Sequence, residues 1–226
     1  MDHLHLPARA AFSILTLLLL ASPPPCRSDP DPLQDFCVGV LQGSEAAAAP
    51  ANGLPCKPAS AVAADDFFFS SLARGGNTSN ALGSAVTAGN ALTFPGLNTL
   101  GLSMIRVDFA PGGVNPPHSH PRATELVLVA EGRLLVGFVT TAGVLFSKVV
   151  GAGEVFVVPR GLVHFLRSVG EGGAVAFTAF NSQLPGAVIA AATLFGSNPP
   201  IPDDVLSRAF QVDGLIIGTI KSKFGS

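Results

Sequence analysis

Charge is scarce in this chain. Asp, Glu, Lys and Arg make up 12% of its 226 residues, against roughly 25% in an ordinary soluble protein. No run of Lys or Arg occurs, which removes the electrostatic footprint that a nucleic-acid partner requires. Histidine is limited to five positions and cysteine to three, so metal or redox chemistry is confined to very few residues. A membrane-spanning helix needs ~20 consecutive apolar residues. The run AFSILTLLLLA at 11–21 is about half that length and predicts no membrane span.

That run has a different reading. It follows a weakly basic start containing His3 and Arg9, and it leads into SPPPCRS, where Cys26 and Ser28 are small residues spaced for cleavage. The pattern is that of a secretory signal peptide over 1–28, so the mature protein is expected outside the cell. Without it, 11 basic and 14 acidic residues remain, a net charge of −3. Three histidines are left, His118, His120 and His164, and two cysteines, Cys37 and Cys56. A lone cysteine pair in a secreted chain reads as a disulfide. Closing such a loop stabilises by roughly 3 kcal/mol in the loop-entropy model. Asn77-Thr78-Ser79 is an N-glycosylation sequon on a Gly-rich loop.

What is abundant is apolar. Hydrophobic residues reach 48%, and the mean hydropathy is +0.48. Beyond the leader, this excess predicts apolar surface covered by other copies of the chain. Residues 29–64 are loop-rich and read as an N-terminal extension closed by the disulfide. DDFFFSSL at 65–72 reads as a short helix or strand start, its three phenylalanines packed into the core. From about 98, short stretches rich in Val, Leu and Phe alternate with Gly-containing turns: SMIRVDF, ELVLVA, RLLVGFVT, VLFSKVV, VFVVP, LVHFLRSV and AVAFTAF. This spacing predicts an all-β sandwich or barrel over 65–184. After Pro185, DDVLSRAFQV opens on two carboxylates and predicts a helix. A second helix is expected near 214–222, so that 185–226 forms a helical segment suited to subunit contacts.

The stretch HSHPRATE at 118–125 carries the chemistry. Alternate residues of a strand share a face, so His118 and His120 present both imidazoles on one side. Pro121 interrupts the strand and lets Glu125 swing to that side. His164 lies within the apolar strand LVHFL. Three imidazoles and one carboxylate suit Mn, Fe, Ni, Cu or Zn, and lack the thiolates of a structural zinc site.

The same residues carry a family resemblance. Gly112, His118, His120, Glu125 and Gly132 resemble the first cupin motif; Gly153, Pro159, Gly161 and His164 resemble the second. DPDPLQDFCVGV, NTLGLSMIRVDFAPGG and TLFGSNPPIPDDVL are similar to segments of plant germin-like proteins. The resemblance implies a cupin jelly-roll β-barrel with Mn(II) held by His118, His120, Glu125 and His164. It implies a Cys37–Cys56 disulfide and a homo-oligomer, a hexamer built as a trimer of dimers, in the extracellular matrix or apoplast. Members of the family include oxalate oxidases, superoxide dismutases and proteins without proven activity. Oxalate-oxidising members carry two asparagines near the metal. Asn115 matches one as a substrate-orienting residue; Ile105 stands at the other and cannot donate a hydrogen bond. The resemblance therefore implies a Mn superoxide dismutase acting on a small anion in plant defence, rather than an oxalate oxidase. The alternative is a non-catalytic cell-wall or receptor-like binding protein with a structural metal. The second motif departs from the family where Ser168 replaces an asparagine, which places local packing behind the site in question.

Overall fold

The computed structural model describes residues 34–41 and 53–225. The expected signal peptide, together with 29–33 and 42–52 of the extension, lies outside the described residues. Ten strands follow in order: β1 Ser84–Gly89, β2 Ser103–Phe109, β3 Val114–Ser119, β4 Glu125–Glu131, β5 Arg133–Val139, β6 Leu145–Gly151, β7 Val155–Val158, β8 Val163–Ser168, β9 Ala174–Phe180 and β10 Val188–Ile189. Three helices close the chain: α1 Ala190–Phe195, α2 Asp203–Phe210 and α3 Gly214–Lys221.

The strands form two antiparallel sheets of five. One has the order β1-β2-β9-β4-β7, the other β10-β3-β8-β5-β6. The all-β expectation is met, and the reason is legible in each strand. In β9 the pattern alternates strictly between buried and half-buried residues, with Ala174, Ala176, Thr178 and Phe180 turned inward. In β4, Glu125, Val127 and Val129 face in while Leu126 and Leu128 face out. Val107, Val127, Val129, Leu134, Val136 and Leu166 meet between the sheets at 2% exposure or less. Each such side chain contributes roughly 1.5–3 kcal/mol on burial.

Turns fix the register. The β4–β5 connection passes through Gly132 at φ +74°, and a Cβ there would sit 2.5 Å from the Gly173 carbonyl oxygen. Both the backbone angle and the close approach demand glycine. The outer face of the first sheet keeps Met104, Leu126, Leu128, Val155 and Val157 about half exposed.

Outside the barrel, Cys37 and Cys56 form a disulfide, and Gly39 pairs with Cys56 in a short bridge. The helices pack among themselves through Phe195, Leu206 and Ile217. Asp203 and Asp204 occupy the first turn of α2, which ends on Gln211 at φ +55°. The Asp213 carboxylate accepts from the Leu215 amide at 2.8 Å and caps α3.

The phenylalanine run departs from expectation. Residues 64–73 form two short 3-10 turns, Ala64–Phe67 and Ser71–Ala73. Phe67 and Phe68 are 45% and 69% exposed, so they are not core residues. Phe69 alone of the three finds an aromatic partner inward, stacking on Phe94 at 5.2 Å, while Phe67 meets Phe36 edge-on. Consecutive phenylalanines cannot all face one side, and this segment lies beside the sandwich rather than within it.

Candidate metal centre

Four side chains converge between the two sheets. His118 belongs to β3 and His164 to β8, and the two are direct cross-strand partners. His120 lies one residue beyond the end of β3. Glu125 opens β4 on the facing sheet. All four are buried, and their ligand atoms lie within 4.8 Å of one another. The expectation that Pro121 would let Glu125 reach the histidines is realised in this geometry.

Each imidazole is aimed by a backbone carbonyl. Nδ1 of His118 lies 2.8 Å from the Pro116 oxygen, Nδ1 of His120 2.5 Å from the Gly186 oxygen, and Nδ1 of His164 3.0 Å from the Leu162 oxygen. A carbonyl can only accept, so Nδ1 carries the proton in each ring and Nε2 presents a lone pair inward. Backbone and ring contacts hold His120 further. Its carbonyl accepts from the Gly161 amide at 3.0 Å, and its ring meets Phe180 edge-on at 4.7 Å.

The inward atoms then confront one another. Nε2 of His164 lies 2.8 Å from Glu125 Oε2, and Nε2 of His120 lies 3.4 Å from the same oxygen. Among the described residues, neither His164 Nε2 nor Glu125 Oε2 has a hydrogen-bond partner, though both are fully enclosed. A hydrogen bond between them would need a proton on Nε2, and the neutral ring has already committed its proton to Leu162. Two buried acceptors pressed together are costly unless a cation lies between them. The donor set of three imidazole nitrogens and one carboxylate oxygen therefore fits a first-row transition metal.

The protonation equilibria favour the same state. Burial lowers the His118 pKa to about 4, assisted by the neighbouring His164 and His120. Burial alone would raise Glu125, but hydrogen bonds and charge from His120 and His164 in their protonated forms outweigh it and hold the carboxyl at about 2. A neutral imidazole and an ionised carboxylate are the forms that bind metal.

A cavity of about 90 Å³ opens beside these donors, lined by Val86, Ile105, Asn115, Thr178, Ala187 and Ile189 among others. Asn115 and Ile105 thus stand at the site as the sequence implied. Cys37, Cys56 and Asn77 stand elsewhere, as expected of a disulfide and an exposed sequon. Sequence reasoning missed Thr178, Val86 and the Gly186 carbonyl. The positive φ of Gly186, +70°, is foreshadowed by the Pro-Gly pair at 185–186; nothing in the sequence marked the other two. Ser168 is buried, and its amide donates to the Gly113 oxygen at 2.9 Å, so the packing behind the site is satisfied without asparagine.

A two-sheet jelly roll with an inward cluster of three histidines and one glutamate defines a metal-binding cupin. The Cupin family model matches residues 70–217. Germin-like protein 3-8 of Oryza sativa subsp. japonica is 58% identical, covering 95% of this chain and 97% of its own. Oxalate oxidase 2 of Hordeum vulgare is 54% identical over 96% of both chains. The solved structure of a recombinant oxalate oxidase in complex with glycolate superimposes with a TM-score of 0.83 at 53% identity, over 87% of this chain and 98% of that one. The chain belongs to the germin-like proteins of the cupin family.

Proposed function

We propose that this is a secreted manganese-dependent superoxide dismutase. The observation that carries the reading is the small cavity beside the four donors, where Ile105 provides an apolar wall and Asn115 an amide. A dicarboxylate needs donors for both ends, and a site with one donor missing discriminates strongly against it. Superoxide is a diatomic monoanion and needs only one orienting group. Mn bound by His118, His120, Glu125 and His164 would supply one-electron exchange, taking an electron from one superoxide to give O2 and returning it, with two protons, to a second to give H2O2. Asn115 would orient the anion, and the apolar walls would hold bulk water out.

The surrounding assignments belong to the same proposal. Residues 1–28 are a signal peptide, 29–64 the disulfide-closed extension, 65–184 the barrel and 185–226 the helical segment. The half-exposed apolar row on the first sheet supports burial against another copy, in a hexamer. Exposed Asn77, with its side-chain oxygen accepting from the Ser79 amide at 2.9 Å, suits glycan attachment in the apoplast. Among the described residues no helix is long and apolar enough to cross a membrane.

Mn-loaded protein is expected to dismutate superoxide and leave oxalate untouched, and His118→Ala to lose metal and activity together. Dismutation surviving in metal-free protein would end this reading. A loaded oligomer that turns over neither compound would point instead to a binding protein with a structural metal. Ile105→Asn, which restores a donor to the wall, is expected to raise oxalate turnover above that of the parent.

A further inference from the structure

The inner face of β9 reads Ala174, Ala176, Thr178, Phe180. Three of these four are apolar, and the polar one lies at the level of the metal cluster. Thr178 pairs across the sheet with Val127 on one side and Ile105 on the other. Val127 is two residues past Glu125 on the same face of β4. Thr178 is 1% exposed, yet it lines the cavity beside the four donors. Among the described residues, no hydrogen bond engages its hydroxyl. Its neighbours Val107, Val127 and Ile105 are all aliphatic, so valine would serve packing there equally well. Set among aliphatic walls and lining the cavity, this hydroxyl is left to pair with whatever the cavity holds. Asn115 lines the same cavity from β3, on the opposite sheet.

We propose that Thr178 is a hydrogen-bond donor to a small monoanion held in this cavity, so that the anion is gripped between the Thr178 hydroxyl and the Asn115 amide. The inference rests on the four-donor cluster being a metal site, but not on superoxide being the substrate. It names the ligand class as a small anion with one accepting end. The hydroxyl and the amide stand on different sheets, and apart from the metal donors the remaining walls are apolar. With both donors engaged by one anion, a second carboxylate would find no further donor.

The test is a titration of Mn-loaded protein with sodium azide, a linear monoanion, followed by the change in the metal's magnetic resonance spectrum, with metal content measured in parallel. Thr178→Val should bind azide about tenfold more weakly, the effect of losing one hydrogen bond to a charged ligand, while keeping its full metal. Thr178→Ser, which retains the hydroxyl, should stay within about threefold of the parent. Unchanged azide affinity in fully loaded Thr178→Val would overturn the proposal. So would equal weakening in Thr178→Ser, which would assign the effect to the methyl group. Loss of metal from Thr178→Val would overturn it too, because the residue would then serve the ligand set rather than the anion. A loaded parent that ignores superoxide, yet binds azide through Thr178, would end the dismutase reading and leave this one standing.

Discussion

Asn98 grips Leu54 from across the fold. Its side-chain oxygen accepts from the Leu54 amide at 2.9 Å, and its side-chain nitrogen donates to the Leu54 carbonyl at 2.9 Å and to Cys37 Sγ at 3.2 Å. The asparagine is fully buried. A single side chain therefore imitates a strand partner for the disulfide loop and fastens that loop to the barrel. Asn98→Ala leaves two buried backbone groups unpaired, at about 1–3 kcal/mol each. The expected outcome is a fall in the thermal midpoint of roughly 5–10 °C, with the metal retained, read by calorimetry alongside elemental analysis.

His164→Ala removes one donor and leaves Glu125 facing an empty space. Metal affinity should drop well beyond the roughly 10–100-fold loss seen when a ligand's outer partner is removed. Equilibrium dialysis against a competing chelator measures it. Retention of stoichiometric metal would show that His164 is not a ligand.

Metal-free protein should lose stability as pH falls. The native pKa of His118 is about 4, against an ordinary 6.5, so the unfolded chain binds the proton more readily and stability rises with pH across that window. The loss begins as pH drops below about 6.5 and is complete below about 4. Glu125, held at about 2 against an ordinary 4.5, adds a second loss over that lower interval. Thermal midpoints taken from pH 7 down to 3 should fall in two stages. A flat profile between pH 6.5 and 4 would refute the first.

Asp108 ties a surface loop to the sheet. Its carboxylate accepts from Arg106 Nε at 3.0 Å, from Arg106 Nη2 at 2.7 Å and from the Gly76 amide at 2.8 Å. Burial would raise its pKa, but the Arg106 and Gly76 bonds hold it below the ordinary value of 3.8. Its support is therefore present above that value and lost as pH falls below it. Asp108→Ala should cost about 1–3 kcal/mol and speed proteolytic nicking in the 74–80 loop, mapped by mass spectrometry.

Strands β2 and β4 to β9 were legible because Val-, Leu- and Phe-rich stretches alternate with glycine turns, as in GAGE before β7 and GEGG before β9, whereas β10 falls inside 185–226, where the sequence predicts a helical segment. The ligand cluster was legible because so few histidines lie outside the expected leader. β1 was not seen: SAVTAG offers a single large apolar side chain, and its pairing with β2 comes from register rather than composition. The phenylalanines at 67–69 misled because hydrophobicity predicts burial without saying against what. Thr178 looked like an ordinary strand threonine, since its meaning depends on Ile105, Val127 and Glu125, which only the folded sheets bring alongside it.

The cluster draws two donors from strands of one sheet, a third from just beyond the end of β3 and the fourth from the other sheet. An ion seated there would rivet the two leaves of the sandwich together. A nascent chain could not complete that rivet until both leaves had docked in register, so occupancy would report correct assembly as well as readiness for chemistry. Stripping the ion should then loosen the seam between β3 and β4 first, and leave the helical tail undisturbed.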